Sequence, residues 1–391
     1  MEYDPYSYEI DEDPYPLYRF LRDEAPAYHN ERQGFWAFTR FDDCHRALLD
    51  WQTYSSAHGT VLELMDSEIG GPLIIFMDPP RQTRLRNLVS KAFTPRRIAE
   101  LEPRIREIAV GHLDALVGRD RFDVVKEFTA KLPMDVISTL LGIPAEDRDQ
   151  VRGWSNDVLH RDPGEPGVSP RGMAAMQSLM EYFDAALAER RRRPRDDMMT
   201  LLIQSEFIDE KGERSRLTDE EMKAFFNLLA TAGNETVTKL LATSFYWLDR
   251  FPDQRKLLVT DPGLAEGAVE EVLRFDPPSQ YQGRVLTREV EAHDRVLPEG
   301  AKLLIINAAS GRDERKFPDP DVFDVRRKID LHLNFGYGQH ICLGKSLARL
   351  ESAIAHVEFL ARFPEYGVAP DGVERMHSSN VRGFAGLVLE V

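Results

Sequence analysis

Along the chain, apolar residues recur with helical spacing through a long middle stretch, from about residue 95 to 275. Ile98, Leu101, Ile105, Ile108, Leu113 and Leu116 follow one another at intervals of about 3.6, which predicts an amphipathic helix. Met173 to Arg193 predicts a second helix, stopped by Pro194, whose ring cannot continue one. The longest predicted helix opens at Thr218. Thr218 followed by Glu221 has the pattern of a capping box, in which each side chain satisfies the other's backbone N–H. Phe225, Leu228, Leu229, Ala232, Leu240 and Leu241 carry its apolar face to about Leu248. At ~1.5 Å per residue, roughly 30 residues span about 45 Å, so this helix must run through the middle of the molecule. Alternating or β-branched runs are few: Gly283–Leu286, Val290–Ala292, Leu303–Ile306 and Leu387–Val391. His160–Gly172, with Pro163, Pro166 and Pro170, predicts a loop between helices. There is no repeat, low-complexity tract or Gly/Ser linker, so residues 1–391 are expected to form one unit, mainly α with a small β portion.

Composition narrows the function classes. Of 391 residues, 42% are apolar and 30% charged, ordinary for a globular protein with a large core. Acids outnumber bases 66 to 50, a net of −16, which argues against a surface that binds nucleic acid or anionic lipid as a whole. The first 18 residues carry six acids and no Lys or Arg, unlike a signal peptide. No stretch approaches the roughly 18 apolar residues of a membrane span. A cytoplasmic protein with reduced thiols is expected. Two cysteines are too few for a disulfide framework or a four-cysteine zinc site. Cys44, in the helical pattern Asp43–Leu49, reads as a small core residue. The cluster Arg190 to Arg193 with Arg195 reads as a solvated helix end whose cations suit the macrodipole.

The most informative segment is Phe335-Gly336-Tyr337-Gly338-Gln339-His340-Ile341-Cys342-Leu343-Gly344. Three glycines in ten residues permit positive φ and close approach of the backbone to something flat. A helix follows, with Leu343, Leu347, Leu350, Ile354 and Val357 on one face, so Cys342 stands at or just before a helix N-terminus. Such a position favours a thiolate and suits it to a soft metal centre. Gly336-x-Gly338 fails as a dinucleotide fingerprint because Ile341 occupies the third glycine position. Gly344-Lys345-Ser346 resembles the end of a phosphate loop, but five residues separate Gly338 from Gly344 where four are needed. An inert buried cysteine in a tight turn is the remaining alternative.

The ten-residue loop resembles the haem-ligand loop of the cytochrome P-450 family, the haem-thiolate monooxygenases, at Phe335, Gly336, Gly338, His340, Cys342 and Gly344. The resemblance implies a single cytochrome P-450-type domain with its long helix over haem b, and Cys342 as the thiolate axial ligand of the iron. It further implies an oxygen-activation motif at Ala232-Gly233-Asn234-Glu235-Thr236, in which Glu235 and Thr236 relay protons and Ala232 and Gly233 let ligands approach the backbone. Glu271 and Arg274 match the family's buried Glu–Arg pair. The family's third, basic partner falls on Val322, and Arg326 is the substitute expected. For the haem carboxylates, the matching positions are Gln82, Arg86, Arg284 and His340, with Gln82 in place of the commoner His; Arg84 is expected to be a surface cation.

The chemistry implied is hydroxylation or epoxidation of an apolar small molecule, steroid- or terpenoid-like skeletons being the first expectation and macrolide or polyketide tailoring the alternative. O2 is the oxidant. Electrons come from a separate ferredoxin or flavodoxin with its NAD(P)H-dependent reductase, since the chain carries no flavin, nicotinamide or iron–sulfur motif. Residues 81–106 hold eight bases against two acids, a net of +6. With Lys345 and Arg349 they form an expected docking face for an acidic redoxin. Val61, Leu62, Leu64, Ile69, Leu229, Ala230 and Ser279–Gln282 are expected to line the substrate pocket. A monomer is expected. The rival readings are a haem-thiolate enzyme that couples phenols or uses peroxide, and a nucleotide-binding or purely structural helical protein in which Cys342 is incidental.

Overall fold

A computed structural model of the chain describes residues 2–65, 72–160, 168–208 and 213–391. Pro163, Pro166 and Ile69 lie outside the described residues, as does the side chain of Lys91.

The central helix runs unbroken from Asp219 to Arg250. Its capping box is formed: Glu221 N–H donates to Thr218 Oγ1 at 3.2 Å, and Thr218 N–H donates to Glu221 Oε2 at 3.0 Å. The helix predicted from Met173 spans Pro170–Arg192 instead. Ser169 caps it by accepting the Gly172 N–H, and Pro170 takes the first helical position, where a missing N–H costs nothing. The stripe at 98–116 divides into Pro95–Glu100 and Glu102–Asp114. Pro103 is the reason, since it has no N–H to donate to the carbonyl four residues back. The helix Lys345–Arg362 follows the cysteine loop and packs against Glu102–Asp114 and Ala265–Phe275.

The β portion is small. Five strands pair in the order Ala27–Asn30, Phe35–Phe38, Lys302–Ile305, Gln282–Leu286 and Tyr54–Ser55, with only Phe35–Phe38 and Lys302–Ile305 parallel. A three-stranded sheet orders Gly367–Arg375, Phe384–Glu390 and Arg121–Asp123. Val290–Ala292 pairs, among the described residues, only with Arg295–Leu297. Among the described residues, no helix is long and apolar enough to cross a membrane.

Two cation expectations need correction. Arg190 is buried rather than solvated: its guanidinium pairs with Asp197 and Glu189 and donates to the Gly142 carbonyl at 2.6 Å. The third partner of Glu271 and Arg274 is Arg327, not Arg326. Glu271 and Arg274 are fully buried and bidentate at 2.7 and 2.8 Å, and Arg327 Nε lies 3.3 Å from Glu271. Arg326 is exposed and, among the described residues, pairs only with Asp324, at 3.7 Å. Val322 contributes its carbonyl, which accepts from both Arg274 and Arg327, so the meander supplies backbone acceptors where a basic side chain was expected.

Candidate active site

Two elements face each other across the main cavity. The central helix presents Ala232, Gly233, Thr236, Val237 and Leu240 on one wall. The cysteine loop and the start of the following helix present Phe335, Cys342, Gly344, Leu347 and Glu351 on the other. The space amounts to about 1390 Å³, its open mouth included.

The loop is held by its own backbone. Gly336 and Gly338 have φ of 68° and 66°. A Cβ on Gly338 would lie 2.8 Å from the Leu48 carbonyl oxygen, so no other residue fits. Cys342 N–H donates to the Phe335 carbonyl at 2.7 Å, closing the loop. The residue before the helix is Gly344, whose Cβ would meet nothing within 4 Å, because that direction is open cavity. Burial pushes the Cys342 thiol up, while the Gly344 backbone and the Arg86, Lys345 and Arg349 cations pull it down. The expected thiolate-favouring effect of the helix start is therefore present but outweighed by burial in the protein alone. Cys44 lies in a separate core cluster and does not line the cavity.

At one edge of the cavity Arg86 and His340 stand on the wall, with Arg284 close behind them and off the wall itself. Arg284 is buried, donates Nη1 to the Gly283 carbonyl at 2.6 Å, and makes no ion pair among the described residues. Burial lowers it to about 10, with Asp78 opposing. Arg86 lines the cavity and donates to the Ile341 carbonyl at 2.6 Å. His340 Nε2 is buried with no hydrogen-bond partner among the described residues. Burial, then Arg284 and Arg86, hold the imidazole down at about 3. A cluster of this kind fits an anionic ligand with more than one carboxylate, as haem carries. Gln82 also lines the cavity, but one of its amide N–H groups already donates to the Gln339 carbonyl at 2.6 Å.

The structure separates Glu235 from Thr236. Thr236 faces the cavity, where its hydroxyl donates to the Ala232 carbonyl at 2.7 Å. Glu235 is off the wall, buried, and paired with Lys239 at 2.9 Å along the same helix. Gly233 is not demanded by helix packing, since a Cβ would touch Ile137 at an ordinary 3.4 Å. The pocket expectation is also revised. Ser279, Gln282 and Leu229 line the cavity, whereas Val61, Leu62, Leu64, Ala230, Gln280 and Tyr281 do not. Leu62 instead packs with Tyr281 in a second core cluster. Ile74, Ile75 and Phe225 take its place on the wall. Two buried polar residues on the wall were not legible in the sequence: among the described residues, the Asn334 amide has no partner at either end and Glu351 Oε2 has none. Burial raises the Glu351 carboxyl well above its ordinary range. A charged residue one position from an apolar stripe of Leu347, Leu350 and Ile354 was the available signal.

The comparisons agree with this geometry. The family model described as Cytochrome P-450 matches residues 263–378. A Mycobacterium tuberculosis protein named cytochrome P-450 123 is 44% identical over 392 residues, covering 99% of this chain and 96% of that one. The vitamin D(3) 25-hydroxylase of Pseudonocardia autotrophica is 37% identical over 98% of this chain and 95% of its own. A Bacillus megaterium cytochrome P-450 solved in complex with testosterone superposes with a TM-score of 0.90 at 30% identity, covering 98% of this chain and 99% of that one. The chain belongs to the cytochrome P-450 family and is a haem-thiolate monooxygenase. Its members hold haem iron through a cysteine, and Cys342 is the cysteine in the cavity wall.

Proposed function

We propose that this protein oxidises a neutral, largely apolar small molecule of steroid or terpenoid type, with haem b held by Cys342 in the cavity between the central helix and the cysteine loop. The observation that carries the reading is the pairing of one wall thiol with Arg86 and His340 on the same cavity, Arg284 standing close behind them with no ion pair among the described residues. When bound, haem supplies the activation of O2, and thiolate donation favours O–O cleavage.

The chain's own residues hold and exclude. Arg86, Arg284 and His340 take the haem carboxylates, and Gln82 adds its remaining amide N–H. Phe335, Gly336, Gly338 and Gly344 shape the loop around Cys342. Ala232 and Gly233 keep the opposite wall low. Thr236 is the hydroxyl placed to pass a proton into the cavity, breaking its bond to Ala232 to do so. Glu235 stands behind it and would pass a proton on only after taking one up and turning from Lys239. The substrate walls are apolar at Ile74, Ile75, Phe225, Leu228 and Leu229, with Ser279 as a hydroxyl anchor, which favours a ligand with few polar groups. The testosterone-bound neighbour and the vitamin D hydroxylase support a polycyclic or secosteroid skeleton.

Electrons reach the site from a ferredoxin or flavodoxin and its reductase. Turnover of a steroid panel with NADPH, redoxin, reductase and labelled O2 tests the reading. Label in the product is expected, and its absence contradicts a monooxygenase. Thr236→Ala is expected to lower product per NADPH consumed several-fold while leaving substrate binding intact.

A further inference from the structure

Residues 276–281 connect the helix Ala265–Phe275 to the inner strand Gln282–Leu286. Pro278, Ser279 and Gln282 face the cavity, whereas Gln280 and Tyr281 turn away and are buried. This stretch of wall has little ladder of its own, only an isolated bridge from Ser279 to Val381. Its shape is set by tethers from outside.

Gln280 is the hub of those tethers. Its N–H donates to the Asn380 carbonyl at 2.8 Å, and its carbonyl accepts the Ala308 N–H at 3.1 Å. Its carboxamide donates to the Pro277 carbonyl at 2.7 Å, closing the turn, and accepts the Tyr18 hydroxyl at 3.1 Å. At the near end, Asp276 accepts from the Tyr15 hydroxyl at 2.7 Å, the Trp247 indole at 2.9 Å and Arg382 at 3.1 Å. Tyr15 and Tyr18 stand three apart on the helix Tyr15–Glu24, on one face, with their rings edge to face at 6.0 Å. Neither touches the cavity. Both are buried, so removing a hydroxyl takes from its partner a hydrogen bond made inside the protein.

We infer that Tyr18 is a positioning residue for substrate selection, fixing through Gln280 where Pro278 and Ser279 stand in the cavity, with Tyr15 anchoring the other end through Asp276. The inference rests on the reading of this cavity as the haem and substrate site. Without the Tyr18 hydroxyl, the Gln280 amide is free to turn and the Pro277 bond that closes the wall is weakened. A small iron ligand is indifferent to that change, whereas a bulky one feels the wall.

The test uses the haem-loaded enzyme titrated with imidazole and with 4-phenylimidazole, followed by the Soret shift. Tyr18→Phe is expected to change the ratio of the two dissociation constants by about threefold or more, the scale of one neutral hydrogen bond. Its reduced carbon monoxide spectrum should stay that of wild type. Tyr366→Phe removes a buried hydroxyl that donates to the Phe245 carbonyl at 2.9 Å, away from this wall, and should leave the ratio alone. Gln280→Leu should shift the ratio too, and adding Tyr18→Phe to it should change nothing further. An unchanged ratio in Tyr18→Phe, an equal change in Tyr366→Phe, or additivity with Gln280→Leu overturns the inference. Absence of a thiolate-type carbon monoxide band in wild type would instead overturn the reading of the cavity.

Discussion

The buried ion network around Glu271 separates residues that look interchangeable in sequence. Arg274→Ala leaves the Glu271 carboxylate buried with only Arg327 and the Asp324 N–H beside it. The expected cost is about 3–5 kcal/mol, seen as a large fall in Tm or loss of soluble protein. Arg327→Ala should cost less, since that guanidinium sits at the rim, 14% exposed. Arg326→Ala should be neutral within about 0.5 kcal/mol, because its side chain is 61% exposed and its pair with Asp324 is loose. Equal effects from Arg326→Ala and Arg327→Ala would contradict the assignment. The cysteine loop was legible at this scale because glycine positions and ligand spacing are local, set by φ and by chain length. Arg327, Asn334 and Glu351 were not. Their roles depend on what the fold brings opposite them, and one residue's shift in a meander exchanges a solvated arginine for a buried one.

Among elements, the short helix Tyr8–Glu12 is pinned to the C-terminal sheet by Asp11 and Arg382. Burial raises the Asp11 carboxyl to about 6, against the opposing pull of Arg382 and Arg375, with Asp276 and Glu12 adding to the rise and His377 at 3.8 Å. An acid whose folded pKa lies above its unfolded value, about 3.9, stabilises most when protonated. That contribution is complete below about pH 4 and lost as pH rises through about 6. Asp11→Asn is therefore expected to raise Tm at pH 7 relative to wild type, with the difference vanishing near pH 4. A constant difference across that range would contradict it. Helices with strong apolar stripes and caps were readable to within a few residues, as the Thr218–Glu221 box demonstrates. The hairpin Ala27–Asn30 with Phe35–Phe38 was not, because strands of four residues leave too short an alternation to distinguish from a loop.

For the whole molecule, the +6 segment is less cationic than its residue count suggests. Arg81 and Arg84 approach Glu221, Arg96 pairs with Glu100, Arg104 with Glu107, Arg106 with Glu102 and Glu358, and Arg349 with Glu270. Arg97 and Lys345 make no ion pair among the described residues. They are where an acidic electron donor would gain most. Arg97→Glu with Lys345→Glu is expected to slow reduction by redoxin and flatten its dependence on salt, and unchanged kinetics would remove the docking face. The central claim is that the cavity holds haem on the Cys342 thiolate, and the most direct measurement is the carbon monoxide difference spectrum of the reduced protein. A thiolate-type Soret band in wild type that disappears in Cys342→Ala but persists in Cys44→Ala is expected. A band that survives Cys342→Ala, or none in the haem-loaded wild type, would contradict the account.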